Sequence, residues 1–589
     1  MAGSLLDQLT AEFTTAFESL GAPAQFGSVG LSKKPEFAQF QCNGSMGAAK
    51  ALGKNPREVA ELVINAIPQP ERFRDLSIAG PGFINISLTD EALAHMAAQR
   101  CADATFGFRA ESPKKRVVVD YGGPNVAKPM HVGHLRSSII GDSIVRLMRF
   151  AGHEVLGDIH LGDWGTQMGM LIVALSEEFP ELPYFDPAIS GEYPTESPVT
   201  IQDLQVIYPK ISARCKEDSA LHQKAQAATV ELQQGNKGYK ALWQHFVDVS
   251  IQELKDDFQR LGVQFDLWYG ESFYHDRIPP MVNAMKQAGH AIEDQGAVII
   301  PVAKESDTKE FPPVMLLKSD GGTNYHTTDL ATIAQRTQEL QADLILYVVD
   351  KRQSLHFEQC FRAAEITGIA KNASLEHLGF GTMNGPDGKP FKTRAGGVMR
   401  LKDLMEMMTH EARTRMLEEG VGQQYDKEEQ DEIAEKVGMS SLRYADLMNV
   451  RSADYVFDIE RFTQFKGRTG AYLCYTAVRI KSILRKSAEN GFAVGTFQPP
   501  ATAVERDLMI HLGSVADYLH LAVNDRMPHH LCSFLFELAQ AFSRFYTECH
   551  ILTEENETTR GGWLALCTAT LNQVELLFSL LGMEAPERM

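Results

Sequence analysis

The chain has 589 residues, 44% of them apolar and 23% charged, an ordinary balance for a globular protein. At roughly 150 residues per domain this length gives about four units, enough to bury several cores without disulfides or a structural metal. Lysine and arginine number 57 against 76 acids, a net charge of −19 with a pI near 5.5. That balance opposes indiscriminate coating of nucleic acid, while leaving room for a local basic face. Eight scattered cysteines without a CxxC pair fit reduced thiols in a cytoplasm better than a disulfide framework. No run of about 18 apolar residues suggests a membrane span, and the first twenty residues read as an amphipathic helix, not a secretory signal.

Residues 1–110 read as a small α+β module. It holds a sharp turn at Gly80-Pro81-Gly82, a strand over Phe83–Leu88 with period-two alternation, and a helix over Glu91–Arg100. After a polar break at Glu111–Lys115, Arg116–Asp120 is a β-branched run of the kind buried in a parallel sheet. A Gly/Pro loop follows, then a helix from about His131 to Phe150 with Val132, Leu135, Ile139, Ile140, Ile144 and Leu147 on one side. Strand, glycine loop and helix open a nucleotide-binding α/β unit. The stretch 178–258 reads as a helical insertion and Leu344–Asp350 as a second buried strand. We therefore expect an α/β catalytic domain of Rossmann type over 111–402. A helical connector over 403–460 and an all-α domain over 461–589 complete the chain. Lys466–Lys486 carries Lys466, Arg468, Arg479, Lys481, Arg485 and Lys486 without an acid, and Tyr472 and Tyr475 are interleaved.

The strongest local signal is PNVAKPMHVGH, Pro124–His134. A helix N-terminus offers free N–H groups and positive dipole to a phosphate chain. His131 and His134, three apart, point to one side and can donate to phosphate oxygens, with Lys128 just ahead. Gly133 lets a flat adenine approach the backbone. The spacing alone also permits metal ligation, but no third and fourth ligand lie near in sequence. A purely structural helix start is the other alternative.

That element resembles the HIGH signature of class I aminoacyl-tRNA synthetases. The longer run DYGGPNVAKPMHVGHLRSSIIGD is similar to the corresponding block of arginyl-tRNA synthetases. So are LGDWGTQMGMLI, LGVQFDLWYGESFY, LLKSDGGTNYHTTDLA, YVVDKRQSLHFEQ, GFGTMNGPDGKPFKTRAGG and ELAQAFSRFY with the terminal PERM, while KKPEFAQFQCN and AGPGFINISL resemble that family's extra N-terminal domain. The resemblance covers nearly the whole chain. It implies activation of arginine by ATP, with magnesium as part of the co-substrate, to arginyl-adenylate and pyrophosphate. Arginine then passes to the 3′ adenosine of arginine tRNA.

The resemblance also implies roles. Lys128, His131, Gly133 and His134 would bind ATP. The second signature loop, KMSKS in the class, reads Pro390-Phe391-Lys392-Thr393-Arg394 here. Thr393 replaces its second lysine, so Lys128 supplies the missing charge, and Lys389 and Lys392 share the role left by Pro390. Gly396-Gly397 would let the loop close. A surface turn with solvated lysines is the plain alternative.

A guanidinium is planar and always charged, so its recognition needs carboxylates. The family pattern places arginine contacts at Asp120, Asn125, Tyr325, Asp329 and Gln353. Many relatives carry Glu at the Asp120 position; we give Asp120 to the substrate α-amino group and the guanidinium to Asp329. Asp350, ending a strand, is a further candidate or merely a strand cap. Lys466, Tyr472, Arg479, Arg485 and Tyr546 are the expected tRNA contacts, with cations on phosphates and tyrosines stacked on splayed bases. Tyrosines packed in a core are the alternative. His529-His530 and Cys532 lack partners for a metal site. The family further implies tRNA-dependent activation, an N-terminal module that contacts tRNA, a monomer without a tightly bound metal or organic cofactor, and no DNA or membrane partner.

Overall fold

In the computed structural model, residues 3–32, 38–189, 192–319, 321–389, 391 and 399–589 are described. Tertiary contacts divide the chain in two: one unit gathers Met1–Ala110, Arg413–Ser440 and Gln464–Met589, the other Glu111–Ala412 with Ser441–Thr463.

A five-stranded parallel sheet centres the second unit. Its strands are β1 (Arg116–Asp120), β2 (Glu154–Leu161), β3 (Leu267–Gly270), β4 (Leu344–Tyr347) and β5 (Ser374–His377), in the order β5-β4-β1-β2-β3. Val117, Val118 and Val119 of β1 are fully buried, as a central parallel strand covered on both faces must be. The chain leaves β1 for β2 on one side and returns from β3 to β4 on the other. In such sheets, ligands bind outside the carboxyl ends of the strands where the order reverses. β4 ends at Tyr347, short of the expected Asp350, which makes only a single bridge to Phe380. Two additions flank this sheet in sequence. One is an antiparallel sheet of Ile292–Asp294, Ala297–Ile300 and Val314–Leu317; the other is the expected insertion, seen as helices Ile201–Glu217, Ser219–Gln233 and Lys237–Leu261.

Helix α1 (Val132–Phe150) follows β1, and its six expected apolar positions are buried. Arg136, Ser138, Asp142 and Ser143 on its other faces are buried too. Arg136 Nε donates to Asp446 (2.7 Å), and its Nη1 donates to the carbonyls of Gly381 (2.7 Å) and Ala453 (3.0 Å). Asp142 accepts from Arg146 (2.8 Å) and Arg443 (2.6 Å). Gly141 leaves room for the Tyr121 ring, which a Cβ there would meet at 2.3 Å.

In the first unit, four antiparallel strands run in the order Val29–Leu31, Phe40–Cys42, Phe83–Leu88, Phe73–Ala79. Ile84, Ile86 and Leu88 face inward on alternate positions, as the period predicts. Four long helices follow: Gly470–Glu489, Ala503–Asp525, His529–Glu548 and Glu557–Leu581. Asp90, in the first turn of helix Asp90–Cys101, pairs with Arg506 of the second of these. Glu557–Leu581 is long and apolar enough to match a membrane span, but 67% of its apolar window is buried within the protein. It reads as a core helix.

Removing one partner of a buried ion pair strands the other charge and costs about 3–5 kcal/mol. Asp446→Ala is expected to weaken the second unit by that amount, moving its urea unfolding transition to lower denaturant. An unmoved transition would mean that Arg136 does not tie α1 in place.

Candidate active site

The loop between β1 and α1 turns through Ala127, held at φ 61°, a left-handed conformation costing a non-glycine residue about 1–2 kcal/mol. Ala127 is buried, and its N–H donates to Ser250 Oγ (2.9 Å). His131 then caps α1. Its Nδ1 accepts from the Gly133 N–H (3.0 Å), and its own N–H donates to His134 Nδ1 (3.1 Å). The rings stack at 4.0 Å. Because both Nδ1 atoms accept, each neutral ring must carry its proton on Nε2. The two histidines are thus a reciprocal capping box that leaves two Nε2–H donors. A Cβ on Gly133 would lie 2.7 Å from the His131 ring, so the glycine makes room for the cap. Desolvation, the neighbouring His131 ring and Lys128 push the His134 pKa down to about 3. His131 is lowered as well, chiefly by desolvation.

Lys128 sets its ammonium 4.6 Å from the centre of the Tyr208 ring, on the insertion helix Ile201–Glu217. Lys389 is exposed, with its N–H on the Asp387 carboxylate (3.1 Å). Pro390, Lys392, Thr393, Arg394, Gly396 and Gly397 lie outside the described residues. The chain on the far side of that loop returns beside the capping histidine: Val132 N–H donates to Met399 O (3.0 Å) and Leu401 N–H to Met130 O (2.9 Å).

The candidate arginine contacts fall on three neighbouring pieces of this unit. Asp120 ends β1, but its Oδ2 already accepts from Arg336 Nη2 at 2.6 Å, and Arg336 also binds Asp158 (2.7 Å). Arg336 is fully buried and lies over the Tyr347 ring. Asn125, half-buried, bridges Gly162. Helix α2 (Tyr325–Gln338) carries Tyr325, 76% exposed at its first position, and Asp329 one turn on. Helix α3 (Ser354–Thr367) is capped by Gln353, which is exposed. Its His356 hydrogen-bonds to Asp329. Asp350 is no strand terminus: it caps a short turn and pairs with Arg352, accepting at 2.9 and 2.6 Å.

Asp329, His356 and Cys360 offer three metal-ligating atoms within 4.8 Å of one another. Burial pushes the Cys360 thiol far up, with the Asp329 charge adding to it. A soft cation binds thiolate, not thiol, so the hydrogen-bonded pair is the better account of this cluster.

In the first unit, Arg479 lies between two tyrosine rings, 4.6 Å from Tyr475 and 5.1 Å from Tyr546. The three line a groove of about 620 Å³ with Lys486. Lys466 and Arg485 are exposed. Tyr472 instead turns to helix His529–Glu548, its hydroxyl 3.0 Å from Ser543 Oγ and its ring against Phe536. Lys481 is tied to Glu587 and Glu575. His530 pairs with Asp525 (3.0 Å).

Three family models match this chain: the class I tRNA synthetase (R) catalytic domain over residues 101–459, the DALR anticodon binding domain over 473–589, and the arginyl tRNA synthetase N terminal domain over 7–88. Curated relatives named Arginine--tRNA ligase include that of Hyphomonas neptunium, 50% identical over 588 residues and 100% of both chains. That of Alkaliphilus oremlandii is 46% identical over 99% of this chain and 100% of its own. The chain belongs to the arginyl-tRNA synthetases. A solved Plasmodium falciparum arginyl-tRNA synthetase, 25% identical, covers 100% of both chains with a TM-score of 0.80. The Thermus thermophilus arginyl-tRNA synthetase, 21% identical with a TM-score of 0.78 over 99% of this chain and 100% of its own, shares the fold.

Sequence reasoning about this synthetase passed over Arg336, Asp158, Tyr208, His356 and Gln359. Of these, only His356 and Gln359 lay in a quoted family block; the others become visible once the helices are placed against the sheet. The two capping histidines give a direct test. In the free enzyme the His134 ring is expected to show no titration of its NMR signals between pH 8 and 5, since its folded pKa lies below that window. A midpoint near 6.5 would mean that its ring is solvated and free of the cap.

Proposed function

We propose how the chain performs arginine–tRNA ligation, the reaction of its family. The carrying observation is the reciprocal His131–His134 cap, which leaves two Nε2–H donors at the N-terminus of α1 beside the crevice. ATP lies there with its phosphates on these donors and the free N–H groups of the helix start. Lys128 lifts from Tyr208 to add charge; Lys389 and Lys392 contribute from the second signature loop. The arginine carboxylate attacks the α-phosphorus and pyrophosphate leaves. A ribose hydroxyl of the tRNA 3′ adenosine then attacks the arginyl carbonyl, and AMP leaves. Neither step needs an enzymic nucleophile; positioning and stabilisation of developing phosphoryl charge carry the rate. Magnesium arrives with ATP, held mainly by substrate phosphates, as is usual for this ion.

Arg336 already occupies one side of Asp120, which favours giving the substrate guanidinium to Asp329 and the α-ammonium to Asp120, with Asn125 and Gln353 beside it. Tyr325, exposed above Asp329, closes over the side chain when arginine enters. On the tRNA side, the Tyr475–Arg479–Tyr546 groove and the exposed Lys466 and Arg485 support stacking and phosphate contacts. The internal bonds of Tyr472 withdraw it from that list. Eight free thiols support a reducing cytoplasm.

ATP–pyrophosphate exchange with each amino acid, with and without arginine tRNA, tests the reading. Exchange confined to arginine and stimulated by tRNA is expected. His134→Ala should lower its rate by about 100- to 1,000-fold, by analogy with the loss of one oxyanion donor, with tRNA affinity kept. Collapse of tRNA affinity with normal exchange would move His134 out of the ATP site. In the full-length enzyme Arg479→Ala should weaken tRNA binding several-fold, whereas Tyr472→Leu should leave it near wild type; the reverse order would reinstate Tyr472 as the base contact.

A further inference from the structure

We propose that His356 is a positioning residue that fixes the plane of the Asp329 carboxylate, and so sets the preference of the pocket for a planar guanidinium over an ammonium. The inference rests on the reading that Asp329 receives the substrate guanidinium.

The argument starts from a built network around Asp329. His356, near the start of α3, donates its Nε2–H to Asp329 Oδ2 on α2. Its ring is held in turn by the His326 ring, 4.4 Å away on α2, and by Phe357 edge-on at 5.3 Å. His326 is fixed from behind. Buried Gln359 spends its amide N–H groups on the carbonyls of Pro312 (3.0 Å) and Pro313 (3.2 Å). That leaves its Oε1 to accept from His326 Nε2 (3.2 Å), so the His326 proton must sit on Nε2. Desolvation, with His356 adding to it, keeps the His326 pKa down. A neutral ring can therefore lie against His356 without repelling it. The chain of contacts runs from two backbone carbonyls, through Gln359, His326 and His356, to one carboxylate oxygen.

Such an anchor has a chemical consequence. A guanidinium binds a carboxylate through two parallel N–H bonds, which requires both oxygens in one plane facing the fork. An ammonium is a compact point charge and accepts a carboxylate at any rotation. An Asp329 free to turn about its two side-chain torsions would serve both cations. With Oδ2 anchored to His356, the carboxylate plane is set before arginine arrives, and the remaining lone pairs of both oxygens face the fork. Gln359 and His326 act through His356 and touch no substrate.

The test compares His356→Leu, His356→Gln and His356→Asn in the full-length enzyme by arginine-dependent ATP–pyrophosphate exchange, with lysine as competing inhibitor. A glutamine can place its Nε2–H near the position of the lost donor; an asparagine falls short. Hydrogen bonds to charged groups being worth about 1.5–3 kcal/mol, His356→Leu should raise the arginine KM by about 10- to 100-fold. The lysine inhibition constant and the ATP KM should change less than about 3-fold on the same ground, since neither uses the fork. His356→Gln should recover most of the arginine KM, and His356→Asn should not. Equal weakening of arginine and lysine, a fall in kcat at unchanged KM, or equal recovery by Gln and Asn would overturn the inference. Should the leucine variant melt early, the contrast between Gln and Asn still decides. Asp329→Asn separates the two readings: an unchanged arginine KM there removes the guanidinium assignment, whereas a raised KM beside a normal His356→Leu removes only the positioning role.

Discussion

Helix α1 is buried along most of its length, polar faces included, and the rest of the catalytic unit is arranged around what that burial demands. A charged residue inside a protein survives only when its hydrogen bonds are met. Arg136 and Asp142 therefore draw Asp446, Arg443 and the carbonyls of Gly381 and Ala453 onto the helix. These ties reach segments that lie far along the chain, and they hold the helix axis against the sheet. With the axis fixed, the N-terminus of α1 can face only the crevice beyond the end of β1. The place where the helix start presents its free N–H groups is thus set by ion pairs on the flanks of the helix, about one to three turns along it.

The charge arithmetic of the arginine pocket follows from the same rule. An enzyme that binds a guanidinium needs carboxylates, yet two of those nearby, Asp120 and Asp158, are engaged by the enzyme's own Arg336. The internal arginine keeps two neighbouring acids from repelling each other in a desolvated place, and the Asp158 carboxyl, buried beside them, is raised chiefly by that desolvation. One face of Asp120 is filled by Arg336, while Asp329 accepts a hydrogen bond from His356. On the proposed reading, the substrate guanidinium therefore goes to Asp329. The preference is a matter of which acid the fold has already satisfied.

Much of this was legible in the sequence, and the reasons are local. The valines of Arg116–Asp120 announced a central strand, the alternation of Phe83–Leu88 announced a half-buried one, and the apolar spacing after His131 announced α1. The two histidines were legible as a site but not as a cap, because three-residue spacing does not say which ring nitrogen faces the backbone. Gly133 was read as space for a ligand, and the room it makes for the His131 ring is a second demand that the spacing alone does not reveal. The strand at Leu344 was drawn three residues too long: Val348 still donates to Asp120 O (2.9 Å) and Val349 O still accepts from Phe380 (3.2 Å), but the regular strand stops at Tyr347. Tyr472 and Tyr475 have the same chemistry and lie three apart on one helix; only their neighbours, Ser543 and Phe536 for one and Arg479 for the other, separate a core tyrosine from a groove tyrosine.

The imidazoles at the two ends of the crevice share one physical solution. A histidine near neutral pH is an ambiguous group, able to donate or accept at either nitrogen and to change charge. Here the ambiguity is removed by giving each ring a fixed neighbour. His131 and His134 spend Nδ1 on backbone N–H groups, and His326 spends Nε2 on Gln359. His356 spends Nε2 on Asp329. Desolvation holds His131, His134 and His326 below their ordinary pKa, so they enter as neutral groups of known direction. A phosphate chain that meets neutral N–H donors is held by direction more than by net charge, and the net charge is left to cations such as Lys128 beside the cap. On the proposed reading that division suits a reaction in which the α-phosphorus must stay still while pyrophosphate departs: fixed donors keep the geometry, and the lysines balance the leaving charge.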